Sequence, residues 1–86
     1  MSHEDIVSKL EQTGVLRVLL ELRDGPKGTS HFQQLMANQT FMKARDVLVG
    51  LGLVEVEEGT HRRLTYSLTD RGERVADRLA EIMQEL

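Results

Sequence analysis

The chain has 86 residues and carries 11 Lys and Arg against 14 Asp and Glu, a formal net charge of −3. A chain of this length makes one domain, residues 1–86, and buries only about 60–65% of its unfolded surface, so marginal stability and help from a dimer interface are expected. The absence of cysteine excludes disulfides, thiol redox sensing and thiolate metal sites. With no apolar run near the ~20 residues of a membrane span and no signal-peptide pattern, a cytoplasmic protein is expected.

Ser2-His3-Glu4-Asp5 opens like a capped helix, with a hydroxyl for an orphan amide and carboxylates in the first turn. Ile6, Val7, Leu10, Val15, Val18, Leu19 and Leu22 then form an apolar stripe at helical spacing. Thr13-Gly14 can divide it into a short leading helix and a main one, or one helix can run on to about Arg23; the spacing allows both. Asp24-Gly25-Pro26-Lys27-Gly28 is a stop. Ser30 with Gln33 has the form of a capping box, so a second short helix is expected from Ser30, with Phe32, Leu35 and Met36 inward. It yields at Ala37-Asn38-Gln39, and Thr40 is expected to cap the next helix, about 40–51. There Phe41, Ala44, Leu48 and Leu51 share a buried face; Met42, Lys43, Asp46, Val49 and Gly50 lie opposite, with Gln39 and Thr40 at the leading end.

Alternation then replaces helical spacing. Val54 and Val56 point one way and Glu55 and Glu57 the other, answered by Leu64, Tyr66 and Leu68 against Arg63, Thr65 and Ser67. Between them Glu58-Gly59-Thr60-His61-Arg62 has hairpin length, with Gly59 expected to supply an unusual backbone angle. Thr69 caps a last helix, with Asp70 in its first turn. Leu68, Gly72, Val75, Leu79, Ile82 and Leu86 make an a/d seam, and Ala76, Ala80 and Met83 a second stripe. One stripe can pack on the domain and the other on a second copy. The 69–86 helix, through Val75, Leu79, Ile82, Met83 and Leu86, is the expected dimerisation element.

Three helices, a two-stranded hairpin that must lie on them, and a long last helix give an α+β fold in the order of a winged helix-turn-helix. In that arrangement the helix after Thr40 enters the major groove by its N-terminal end. Gln39, Thr40, Met42, Lys43 and Asp46 would then face base edges and phosphates: Gln and Lys have the donors, and Met suits a thymine methyl. Asp46 is repelled by phosphate unless it accepts from a cytosine amine or pairs with Lys43 or Arg45. His61, Arg62 and Arg63, in the wing at 57–63, can grip the backbone or enter the minor groove, although Arg63 shares a strand face with Glu55 and Glu57 and can pair there instead. Charge distribution agrees weakly: residues 27–63 set Lys27, Lys43, Arg45, Arg62 and Arg63 against Asp46, Glu55, Glu57 and Glu58, the only segment not net negative. His3, His31 and His61 lack ligand-like spacing, so no metal or cofactor is expected, and no phosphate loop or nucleophile–base pair suggests an enzyme.

The stretch from Gly14 to Leu86 resembles prokaryotic winged-helix transcriptional regulators of the MarR, PadR and HxlR type. Leu48-x-x-Leu51-Gly52-Leu53-Val54 and Tyr66-Ser67-Leu68-Thr69-Asp70-x-Gly72 carry the resemblance. It implies a homodimer on operator DNA in the nucleoid, with Gln39, Thr40, Lys43 and Arg62 in contact roles. The chain is too short for the extra dimerisation helices and ligand pocket of MarR-like proteins, and it lacks the amino-terminal cysteine of HxlR-like redox sensors. A winged helix can also serve as a protein-docking module in a larger assembly, which is the rival expectation.

Overall fold

The computed structural model describes residues 2–86. Among the described residues four α-helices precede the hairpin: α1 (His3–Leu10), α2 (Val15–Glu21), α3 (Thr29–Gln33) and α4 (Asn38–Gly50). Strands β2 (Val54–Glu58) and β3 (Leu64–Leu68) form the wing, and α5 (Asp70–Gln84) closes the chain. A two-residue strand, β1 (Lys27–Gly28), pairs antiparallel with β3, so the sheet has the order β1-β3-β2. The fold is the expected winged helix, with the amino-terminal stripe divided into two helices, one of the two alternatives its spacing allows, and with one more strand than the sequence suggested. Among the described residues no helix is long and apolar enough to cross a membrane.

The division falls at Thr13-Gly14. Gly14 adopts φ 89°, which ends the α1 direction and starts α2. α1 is capped as expected, the Asp5 N–H donating to Ser2 Oγ at 3.3 Å, but it buries no residue of its own. The extra strand is fixed by register: Lys27 lies opposite Tyr66 and Gly28 opposite Thr65.

The core is aliphatic around an aromatic centre. Val15, Val18 and Leu19 of α2, Phe32 of α3, and Phe41, Ala44 and Leu48 of α4 are buried, with Leu53, Val54, Tyr66 and Ala76. Phe32 stacks on Phe41 with centroids 4.6 Å apart, and Tyr66 meets both edge-on at 6.2 and 5.1 Å. Each such contact adds about 0.5–1.5 kcal/mol beyond area burial. The Tyr66 hydroxyl is not stranded in this apolar setting, because it shares a 3.1 Å hydrogen bond with Thr29 Oγ1.

Several expected details are different. Ser30 is not a cap: α3 begins at Thr29 behind Gly28, and no side chain caps it. Leu35 is exposed rather than inward, because α3 ends at Gln33 and the chain has already turned. Thr40 does not cap α4, which begins two residues earlier at Asn38 behind Ala37 and leaves Thr40 inside the first turn. Val56 faces Tyr66 across the ladder yet remains 40% exposed, since only the strand's first residue reaches the core.

The junction between the hairpin and α5 explains the two motifs quoted above. Gly52 takes φ 74° just after α4, where the Leu53 N–H returns to the Leu48 carbonyl and the Gly52 N–H to that of Val49, a Schellman cap. Thr69 then clamps this turn to α5. Its hydroxyl donates to the Gly52 carbonyl at 2.6 Å and accepts from the Gly72 N–H at 3.0 Å, while its own N–H donates to the Leu53 carbonyl at 3.0 Å. Thr69→Ala removes both hydroxyl bonds and should lower stability by about 1–2 kcal/mol; a urea midpoint unchanged from wild type would contradict this clamp.

Candidate nucleic-acid interface

The helix–turn–helix is α3, the turn Gln34–Ala37 and α4. Phe32 and Phe41, one from each helix, are stacked at its centre, so the two helices are held by their own core rather than by the turn. This leaves the outer side of α4 to solvent. Gln39, Met42, Lys43 and Asp46 are exposed there, as the helical spacing requires. Thr40 is half-buried: a methyl placed on Gly14 would come within 3.1 Å of its Cγ2, so it is also a packing residue against the α1–α2 turn. Lys43 makes no ion pair among the described residues, and it lines a groove with Glu11, Gln12, Thr13 and Thr40.

Asp46 resolves the electrostatic difficulty by pairing with its neighbour. Arg45 donates from Nε at 3.1 Å and from Nη2 at 2.9 Å, both to Asp46 Oδ1. Hydrogen bonding to Asp46 raises the Arg45 pKa above its ordinary value; burial opposes the shift, and the Tyr66 hydroxyl adds to it. Neighbours in sequence point about 100° apart on a helix, and only the length of the Arg side chain lets this pair meet.

The wing tip differs from expectation in its backbone. Gly59 is extended, at φ −101°, and the left-handed positions are His61 at φ 59° and Arg62 at φ 61°. Two consecutive non-glycine residues in that region are strained, by about 1–2 kcal/mol each. The loop holds them by its ends, with the Gly59 N–H on the Arg63 carbonyl at 2.7 Å and the Arg63 N–H on that of Thr60 at 3.3 Å. His61, Arg62 and Arg63 are all exposed. Arg63 forms no cross-strand ion pair: Glu57 lies opposite Thr65 and Glu55 opposite Ser67, and Arg63 sits before the strand.

The predicted residues therefore fall in two places. Gln39, Met42, Lys43 and Asp46 lie on α4. Arg62 and Arg63 instead line an open groove of about 700 Å³ with Ser30 and Gln33 of α3 and Thr65 of β3. Sequence reasoning missed Gln33 and Thr65 as members of this polar wall, because nothing in their spacing shows that α3 faces the wing; β1, which draws them together, is too short to have a periodicity.

The arrangement is that of a winged helix. No protein-family model matches the chain, and no curated protein matches it. Solved structures do. A candidate transcriptional regulator, ytfH, from Salmonella typhimurium shares 21% identity with a TM-score of 0.80, over 94% of this chain and 77% of that one. A MarR-family regulator structure from Porphyromonas gingivalis W83 gives a TM-score of 0.79 at 17% identity, over 94% and 84% of the two chains. The reduced form of the regulator YodB from B. subtilis gives 0.75 at 18% identity, over 98% and 89%. The chain shares their fold over almost its whole length.

Proposed function

We propose that the protein is a non-catalytic, sequence-specific DNA-binding transcriptional regulator that acts as a homodimer in the cytoplasm, on the nucleoid. The observation that carries this reading is the outer face of α4, which exposes Gln39, Met42, Lys43 and Asp46 and bears Lys43 without an ion pair among the described residues. Its N-terminal half enters the major groove with Gln39, Thr40, Met42, Lys43 and Asp46. His61, Arg62 and Arg63 meet the backbone from the wing, and the groove shared with Ser30 and Gln33 favours a phosphate strand over the minor groove. The fold shared with the three regulators supports the same reading.

The apolar surface left by the fold supports the proposed dimer. Val75, Ile82 and Met83 are exposed on α5, and Leu86 is exposed just beyond its end. Val75, Leu79 and Ile82 line one groove of about 430 Å³ with Leu10 of α1 and with Leu16 and Leu19 of α2. Both terminal regions thus border one patch that a second copy can cover, and a two-fold dimer reading a pseudo-palindromic site would present its two α4 helices about 34 Å apart.

The test is a fluorescence-anisotropy titration of a random duplex. A dimer neutralising ~6 phosphates should lose about 10³ in affinity between about 50 and about 200 mM salt. Lys43→Ala and Arg62→Ala should each weaken binding and reduce the salt slope by about one unit per phosphate contact removed. If neither variant changes binding, the interface is elsewhere; if the wild type binds no DNA even at low salt, the acidic net charge of −3 favours a protein-docking module instead.

A further inference from the structure

Asp46 is the residue that a simple phosphate-binding face would lack. It follows Met42 by four residues and Lys43 by three, so it lies on the same stripe of α4 as both, with Gln39 leading. Its side chain is 69% exposed, whereas that of Arg45 is only 20% exposed. Both Arg45 donors converge on Oδ1, and Oδ2 receives no donor among the described residues. The half-buried guanidinium therefore offsets the carboxylate charge through Oδ1 and leaves the second oxygen of this exposed side chain without a donor among the described residues.

That is the chemistry needed to read one base. In the major groove cytosine offers its N4 amine as a donor, guanine offers only acceptors, and thymine an acceptor and a methyl. Adenine also has an amine, but its N7 acceptor lies next to it and repels a carboxylate, whereas an amide would bond both. Building on the DNA-binding reading above, we infer that Asp46 is a specificity residue that accepts a hydrogen bond from a cytosine N4 amine in each half of the site. Arg45 acts as its positioning residue, holding the carboxylate and reducing its repulsion from phosphate.

The experiment selects duplexes from a randomised pool with the full wild-type chain and with Asp46→Asn. The wild type should enrich cytosine at one position per half-site, and Asp46→Asn should move that position toward adenine, by on the order of tenfold in relative affinity. Selected duplexes carrying thymine for that cytosine, which turns the donor into an acceptor, should bind wild type about tenfold more weakly and Asp46→Asn nearly as well as before. The thymine series on the wild type needs no variant to fold. An unchanged base preference in Asp46→Asn, or an equal loss for both proteins with thymine, overturns the inference while leaving DNA binding intact. A wild type that binds no duplex at about 50 mM salt overturns the DNA-binding reading and this inference with it.

Discussion

Gly72→Ala is expected to destabilise the domain by about 2–4 kcal/mol, against a total of about 4–13 kcal/mol for a chain of this size. Two effects oppose each other here. Alanine is the better helix former by about 1 kcal/mol, and Gly72 lies in the first turn of α5. The Cβ, however, would land on the Leu53 carbonyl oxygen, with the Leu53 carbonyl carbon only 2.9 Å away. These are backbone atoms, which no rotamer change moves aside, and the same oxygen accepts the Thr69 N–H. Relieving the overlap means lifting α5 off the turn that joins it to the wing. Steric cost therefore outweighs propensity. Gly50→Ala is the control: nothing lies within 4 Å of its added methyl, so it should be neutral or stabilise by up to about 1 kcal/mol. Urea melts of both variants decide the matter, and a Gly72→Ala midpoint at or above wild type would overturn the steric argument.

Ile82→Glu should convert the proposed dimer to a monomer and, through it, weaken operator binding by more than about a hundredfold, because two half-site contacts become one. Ile82 is 58% exposed, so the fold of one copy barely depends on it. In a two-fold interface the carboxylate is buried twice, and an unpaired charge in an apolar contact is costly. Leu79, expected from its spacing to serve the same interface, is a poorer test: it packs on the domain's own core, and a charge there confuses dissociation with unfolding. Sedimentation velocity gives the oligomeric state directly. A dimer that survives Ile82→Glu would place the interface away from α5.

The parts of this fold that were legible in the sequence are those with a repeating pattern. The hairpin announced itself by alternation over Val54–Glu57 and Leu64–Leu68, and the face of α4 by the spacing of Phe41, Ala44 and Leu48. Thr69 and Ser2 were legible as caps because each precedes a helix with acidic residues in its first turn. Ser30 and Thr40 lack those acidic residues, Ser30 offering only Gln33 in a capping-box pattern, and they are not caps, since a hydroxyl near a helix start does not say at which residue the turn closes. β1 was invisible because two residues have no period. Gly59 drew the expected unusual angle to itself, but the left-handed positions come two and three residues later, at His61 and Arg62. The candidate site was legible where it depends on one helix face. The groove between α3 and the wing depends on a long-range pairing, as does the seating of Arg45 beside Tyr66, and neither is written in local spacing.

The three aromatic residues of the chain come from three different elements, and each touches the other two. Helix α3, helix α4 and strand β3 consequently behave as one solid piece, so tilting α4 would drag the wing with it. If this is the reading head, the distance along DNA between a contact made by Lys43 and one made by Arg62 is a constant of the protein. Any adjustment to a longer or shorter site must then occur between the two copies, at the aliphatic and more deformable surface of α5, and insertions between half-sites should be tolerated where insertions within a half-site are not.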